Sequence, residues 1–172
     1  HYTVSCFATR HRIPCHGFLV REKRKPRKLL REAVVKHKIP AAFLGELQHG
    51  KDFVGPDGTV IPNDVLTVEH PPEKSYAFAA DTIYDERLSE VVQQVDLLYH
   101  ETTYPHSLAQ KAQERFHSTS KQAASIALQA GAKKLLIGHF SAKFEDLSNF
   151  ETEAREVFPN TALAQEGVTY LI

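Results

Sequence analysis

Phe116-His117-Ser118-Thr119-Ser120-Lys121-Gln122-Ala123-Ala124, followed by Lys133-Lys134-Leu135-Leu136-Ile137-Gly138-His139-Phe140-Ser141, decides how this 172-residue chain is read. Ala123, Ala124, Ile126, Ala127 and Ala130 recur at three- and four-residue intervals up to the Ala130-Gly131 stop, the pattern of a helix with one apolar face. Thr119 with Gln122 three residues later makes a capping box at its start. His117 and Ser118 then lie just ahead of the electropositive helix end, a spot that suits a phosphate. Leu135-Leu136-Ile137 is short, continuous and apolar, so it reads as a buried strand with His139 just past its end.

Composition bounds what surrounds this unit. With 42% hydrophobic residues, the chain is long enough for a real core and is not a disordered segment. Lys plus Arg and Asp plus Glu balance at 21 each, yet nine of the cations fall between Arg21 and Lys38. Cys6 and Cys15 are too few for a disulfide scaffold and lack zinc-ribbon spacing, which points to buried thiols in a reducing, cytoplasmic setting. No apolar run approaches the roughly 20 residues that span a bilayer, so no membrane partner is expected. The chain opens at His1 already in strand-like alternation and has no methionine, so it reads as a piece of something longer.

Moving outward, Tyr2 to Ala8 and Gly17 to Arg21 are β-like, with His11 in the connection between them. Leu29 to Lys36 reads as a basic helix, and Gly55-Pro56-Asp57-Gly58 as the turn of a small hairpin joining Lys51–Val54 to Thr59–Pro62. The stretch from Pro26 to Lys74 is poor in core candidates and reads as a protruding arm. From Ser75 on, Tyr76–Ala79, Val95–Tyr99 and Leu135–Ile137 are buried-strand candidates separated by helical segments. A helix from about Asn149 to Val157 and short strands near Ala162–Ala164 and Val168–Ile172 close the chain. The class is mixed α/β.

Three strand ends finish in residues able to bind metal: Asp81 after Ala79-Ala80, Glu101 after Tyr99-His100, and His139 after Gly138. With His11, this mix of imidazole and carboxylate suits zinc in a hydrolytic site. Each residue also has a plainer reading. A histidine at a strand end is more often a hydrogen-bonded core or surface residue, Glu101 could satisfy backbone donors, and a basic run is ordinarily a solvated helix face.

Taken as a series, Arg10-His11-Arg12-Ile13-Pro14-Cys15-His16-Gly17-Phe18, Ala80-Asp81-Thr82, His100-Glu101-Thr102-Thr103-Tyr104, Phe116-His117-Ser118-Thr119 and Gly138-His139-Phe140-Ser141-Ala142-Lys143-Phe144 resemble the carboxy-terminal part of the ribonuclease Z family. These are tRNA 3′-processing endoribonucleases of the metallo-β-lactamase superfamily. The resemblance covers nearly the whole chain, in the family's order. It implies half of an αββα sandwich over residues 1–172, with a basic arm inserted at about 22–70, and therefore an incompletely covered sheet. His11, Asp81 and His139 match metal ligands of a two-zinc centre, Asp81 being the bridging one. His117 matches the histidine beside the scissile phosphate and Glu101 the carboxylate that orients it.

The family's His-x-His-x-Asp-His motif, which supplies the remaining ligands, is absent: none of the ten histidines falls in that spacing. Thr102 replaces a usual alanine and Ala80 a common glycine, changes that touch packing. The resemblance implies zinc-dependent removal of the 3′ trailer from precursor tRNA by a metal-activated water, leaving a tRNA 3′-hydroxyl. It also implies a homodimer and an amino-terminal half as partner, without which this stretch is expected to be inactive. His100 is expected to hold its loop in place, and His16, His37, His49, His70 and His106 have no assigned role. Two other readings stand beside it: a metallo-β-lactamase-fold hydrolase of a small phosphodiester or thioester, and a non-catalytic RNA-binding fragment.

Overall fold

A computed structural model describes residues 1–172. In chain order the elements are β1 (Tyr2–Thr9), β2 (Cys15–Glu22), β3 (Lys28–Leu29), α1 (Arg31–Lys36), α2 (Leu44–Gln48), β4 (Phe53–Val54), β5 (Val60–Ile61), α3 (Asn63–Leu66), β6 (Thr67–Val68), β7 (Ser75–Ala79), α4 (Arg87–Val91), β8 (Leu97–Glu101), α5 (Ala109–Arg115), α6 (Ser120–Ala130), β9 (Lys134–Gly138), α7 (Ser148–Val157) and β10 (Thr161–Leu163). They divide into two compact units, one of His1–Glu22 with Lys74–Ile172, the other of Lys23–Glu73. No helix is long and apolar enough to cross a membrane.

The larger unit is built on one six-stranded sheet in the order β1-β2-β7-β8-β9-β10. β7, β8, β9 and β10 run parallel, while β1 and β2 form an antiparallel pair that joins through β2 to β7. Because strand side chains alternate, the register sorts them onto two faces. Ala77, Ala79, Leu98, Leu135 and Ile137 are buried in one core with Ala123, Ile126 and Ala127 of α6 and Phe150 and Ala154 of α7. Phe150 takes Phe140 and Phe144 edge-on, at ring separations of 5.0 and 5.3 Å. The opposite face carries the cross-strand series Phe18, Phe78, Tyr99 and Leu136. Phe78 and Tyr99 stack at 4.8 Å, and Phe18 keeps 46% of its surface exposed.

α6 forms as its local sequence dictates. The Thr119 side chain accepts from the Gln122 amide while the Gln122 side chain accepts from the Thr119 amide, and Gly131 ends the helix in the left-handed region at φ 62°. The closing segment departs from expectation. Val168–Ile172 forms no strand; instead the Tyr170 hydroxyl donates to the Leu163 carbonyl and accepts from the Gln165 amide, a side-chain clasp in place of a ladder.

The Lys23–Glu73 unit has a core of its own, which corrects the reading of this stretch as core-poor. Ile39, Leu47 and Leu66 are buried under Leu29, Val34, Phe43, Phe53 and Ile61. Buried Asn63 ties the unit together, its side-chain amide donating to the Leu47 and Lys51 carbonyls and its backbone amide donating to Asp52. The hairpin forms at Phe53–Val54 and Val60–Ile61. Lys28–Leu29 pairs with Thr67–Val68 as a strand, so the basic helix starts only at Arg31.

Ile137→Ala removes a fully buried side chain between sheet and helices and is expected to cost about 2–5 kcal/mol in denaturant unfolding. Val168→Ala, at a half-exposed position outside any strand, should stay within about 0.5 kcal/mol of wild type.

Candidate active site

Parallel strands collect ligands at their carboxyl ends, and the residues singled out in the sequence gather there. Asp81 follows β7, Glu101 ends β8 and His139 follows β9. β2 runs antiparallel to β7, so the β1–β2 connection carrying His11 is returned to this same end. His117 enters from the link between α5 and α6.

Glu101 is the hub. It is fully buried, and its carboxylate accepts five hydrogen bonds. Oε1 takes the Thr82 amide at 3.1 Å, the Ser118 amide at 3.1 Å and His117 Nδ1 at 2.9 Å. Oε2 takes the Thr103 amide at 3.0 Å and the Thr103 hydroxyl at 2.9 Å. The amides of Ser118, Thr119 and Ser120 are not free donors for the phosphate expected at the start of α6. Ser118 donates to Glu101, Thr119 to the Gln122 side chain and Ser120 to the Tyr104 carbonyl. The anion at this helix end is the protein's own carboxylate.

The hydrogen bond that His117 donates to Glu101 holds the imidazole above its usual pKa, against the opposing effect of burial. Its ring lies 5.0 Å from that of His11 and 5.5 Å from that of His139. Asp81 sits between those two, with Oδ2 3.9 Å from His11 Nε2 and Oδ1 3.4 Å from His139 Nε2. All five residues singled out in the sequence are thus brought together. Two sets, His11 with Asp81 and His117, and Glu101 with His117 and His139, each place ligand atoms within 4.8 Å of one another. Since both Glu101 oxygens are saturated by protein donors, the second set is a hydrogen-bonded cluster and the metal-capable donors are centred on Asp81.

Tautomers support that assignment of donors. His11 Nδ1 lies 2.9 Å from the Phe116 carbonyl, an acceptor only, so Nδ1 carries the proton and Nε2 presents its lone pair toward Asp81. The Thr103 hydroxyl spends its proton on Glu101 and lies 3.0 Å from His139 Nδ1, so it accepts from that nitrogen and again leaves Nε2 free. Two imidazole nitrogens so fixed, one on either side of the Asp81 carboxylate, are donors of the kind divalent metal ions take.

Other residues find plainer places. His100 is fully buried on the core side, its Nδ1 on the Glu101 carbonyl at 2.7 Å, and burial lowers its pKa so that it stays neutral. Thr102 is buried, and the hydroxyl it has in place of alanine's hydrogen donates to the His100 carbonyl at 3.3 Å. His106, given no role from sequence, contacts the Thr119 hydroxyl at 3.2 Å. The contributors missed from sequence are Thr103 and the carbonyl of Phe116. Thr103 was visible as a hydroxyl two positions after Glu101; the carbonyl left no signal at all. Phe116 ends α5 at φ 61°, a left-handed conformation costly for a bulky residue. A Cβ on Gly138 would lie 2.5 Å from the Tyr99 hydroxyl, so only glycine fits before His139.

No protein-family model matches the chain. Among solved structures, the metallo-β-lactamase fold protein YhfI of Bacillus subtilis superposes with a TM-score of 0.63 at 19% identity, over 97% of this chain and 48% of that one. A long-form RNase Z from yeast superposes at 0.59 and 16% identity, over 94% and 16%, and the short form of human tRNase Z at 0.54 and 20%, over 97% and 42%. The chain has the metallo-β-lactamase fold. In sequence it is 45% identical over 166 residues to ribonuclease Z of Bacteroides fragilis and 44% over 169 residues to that of Bacteroides thetaiotaomicron, matches covering 96% and 98% of this chain but 55% and 54% of those proteins. Ribonuclease Z of Microcystis aeruginosa is 39% identical over 175 residues, 98% of this chain and 55% of its own length. The chain belongs to the ribonuclease Z family, and it spans about half the length of the curated relatives it matches.

Glu101→Gln removes the charge that favours imidazolium, so the His117 titration, followed by histidine NMR, should move to lower pH. The sign follows from the raised value: the pair's contribution to stability is full below the ordinary histidine pKa and is lost as pH rises through the raised one. Phe116→Gly relieves a backbone cost of about 1–2 kcal/mol while keeping the carbonyl, whereas β-branched Phe116→Val worsens it. Glycine should therefore melt above valine, and only valine should weaken protection of the His11 Nδ1 proton.

Proposed function

We propose that this chain is the carboxy-terminal part of a zinc-dependent endoribonuclease that removes the 3′ trailer from precursor tRNA. The observation that carries the proposal is the meeting, at one end of the parallel strands, of Asp81 with the Nε2 atoms of His11 and His139, beside a His117 made basic by buried Glu101. Homology to ribonuclease Z supplies the substrate class.

His11, Asp81 and His139 would hold the metal. Zinc is the ion their nitrogen and carboxylate donors suit, and when bound it supplies Lewis-acid activation of water and neutralises charge on the phosphodiester. His117 does the proton chemistry. Water oxygen bonds to phosphorus as the bond from phosphorus to O3′ of the tRNA breaks, and the departing O3′ takes the proton from His117 Nε2. The tRNA keeps a 3′-hydroxyl and the trailer a 5′-phosphate. Glu101 acts through His117, fixing Nδ1 as a donor so that Nε2 faces the substrate and favouring the charged ring that has a proton to give.

The Lys23–Glu73 unit serves as the grip on RNA. Of the nine cations from Arg21 to Lys38, Arg21 donates to the Gln93 carbonyl and Arg27 bonds Thr67 and Glu69. The other seven, Lys23, Arg24, Lys25, Lys28, Arg31, Lys36 and Lys38, are exposed and make no ion pair. Such cations bind phosphates by releasing counterions, without reading sequence. Three metal-capable residues are fewer than a two-zinc centre needs, so the reading includes an amino-terminal half that supplies the rest and covers the sheet face of Phe18 and Phe78. It extends, by family resemblance, to a homodimer in the cytoplasm.

The 172 residues alone are expected to bind zinc weakly and cleave nothing, and mixing with the amino-terminal half of a ribonuclease Z should restore cleavage; strong activity of the isolated chain overturns the ligand assignment. In the full-length protein, His117→Ala should lower kcat about 10²–10⁴-fold with zinc content unchanged. Deleting residues 23–73 should abolish precursor-tRNA cleavage and spare hydrolysis of a chromogenic phosphodiester. Equal loss of both activities would remove the grip from the proposal, and cleavage of the small ester alone by the wild type would favour a small-phosphodiester hydrolase.

A further inference from the structure

Beside the Asp81 end of the sheet lies a cavity of about 310 Å³, lined by Thr9, Arg10, Thr82, Asp85 and Arg87 with aliphatic side chains of Leu88 and Val91. Its wall is shared with the metal-capable edge. Thr9 donates its hydroxyl to the Asp81 carbonyl at 2.8 Å, and Arg10 gives its amide to the Thr82 hydroxyl and its carbonyl to the Ile83 amide. Arg10 is also the residue next to His11, so the backbone that places a metal-capable imidazole on one side places a guanidinium on the other.

The charges of this cavity do not cancel. It contains two guanidiniums and one carboxylate, and the carboxylate is taken by one of them. Asp85 Oδ1 accepts from Arg87 Nε at 3.0 Å and from the Arg87 amide, and Oδ2 accepts from Arg87 Nη2 at 2.8 Å. That fork holds the Asp85 carboxyl below its usual pKa, so it stays ionised and occupied. Arg10 is held more loosely: its half-exposed side chain makes a long ion pair with Asp85, Nε 3.9 Å from Oδ2, and no hydrogen bond. A guanidinium that makes no hydrogen bond, at the wall of a cavity whose lining carries two guanidiniums and one carboxylate, is suited to an oxyanion. The threonine methyls and aliphatic groups around it offer an apolar wall for a sugar or base, and a further acid nearby, Glu90, acts on Arg87.

We propose that this cavity is a phosphate subsite, in which Arg10, with Arg87 behind it, holds a backbone phosphate of the RNA strand adjacent to the scissile one. The inference rests on the RNA-cleaving function proposed above and adds a position to it: the strand runs from the His117 and Asp81 cluster over Thr82 and Thr9 to Arg10. Arg12 lies on the other side of His11, near enough to His117 to oppose its protonation, so phosphates flanking the cut meet arginines in both directions.

The test uses the full-length protein with its metal and compares wild type with Arg10→Gln and Arg10→Glu in precursor-tRNA cleavage at several salt concentrations. Arg10 makes no side-chain hydrogen bond, so both variants should keep the wild-type melting temperature and zinc content. The expected result is a five- to tenfold rise in KM for Arg10→Gln, more for Arg10→Glu, with kcat within twofold, and a log–log salt slope for binding a short single-stranded RNA reduced by about 0.7, one phosphate contact. Wild-type cleavage with unchanged KM and salt slope in both variants overturns the subsite and leaves the proposed function standing. A wild-type protein that cleaves no RNA overturns both. A fall in kcat with KM unchanged also overturns the subsite, since it would place Arg10 in orienting His11 instead of holding substrate.

Discussion

Glu101 keeps a carboxylate out of water at the end of β8, and an ionised group so placed is tolerable only if protein donors replace its hydration. Five do, and they come from three separate parts of the chain: Thr82 after β7, Thr103 after β8, and His117 with Ser118 ahead of α6. The carboxylate therefore does more than orient one histidine. It fixes the backbone that follows β7, where Asp81 sits, to the link that carries His117. Removing it would leave two amides facing Oε1 and one facing Oε2 without acceptors, at about 1–3 kcal/mol each.

The same economy runs through the imidazoles. Thr103 passes the influence of Glu101 to His139, because a hydroxyl whose proton is committed to a carboxylate can only accept from a ring nitrogen. His11 is set independently, by the Phe116 carbonyl. That acceptor points inward because Phe116 adopts the left-handed turn ending α5, so a local conformational cost is held at the site and offset by the bond it makes. His11, His117 and His139 thus present Nε2 atoms while each Nδ1 is engaged, which lets neighbouring rings divide between metal-capable and proton-carrying roles.

What was legible in the sequence was local. Thr119 and Gln122 cap α6 because the partners are three residues apart, and Gly55 and Gly58 turn the hairpin because the bonds they make span only the turn. The buried strands announced themselves as apolar runs. Asp81, Glu101, His117, His139 and His11 were found by their type at strand ends and by a family pattern, and their convergence follows from a parallel sheet that brings its carboxyl ends together. What escaped depended on distant partners. Ser118 looked free to bind phosphate because nothing near it in sequence reveals that Glu101 already takes its amide. Val168–Ile172 has strand-like residues, but Tyr170 reaches back to Leu163 and satisfies the backbone by a side chain. The Lys23–Glu73 core was hidden in the same way: its apolar residues are scattered, and distant partners draw their segments together, Asn63 bonding to Leu47, Lys51 and Asp52 and Lys28–Leu29 pairing with Thr67–Val68.

The composition of the Glu101 shell has a further consequence for any proton transfer by His117. Four of its five donors, three amides and one hydroxyl, do not titrate in the range where a histidine does. When His117 gives up its proton, Nδ1 keeps its own hydrogen and the bond to Oε1, so the carboxylate loses the attraction of a cation but no hydrogen bond. The ring can then cycle between charged and neutral forms while the groups around it stay fixed, and preorganisation of this kind removes the reorganisation that a water-solvated acid would require at each turnover. A shell built mainly from charged donors would bind the carboxylate more tightly and depress the basicity of the ring. Amides stabilise the anion while adding no net positive charge against the imidazolium, which is why His117 can be raised above its usual pKa by an acid so deeply buried.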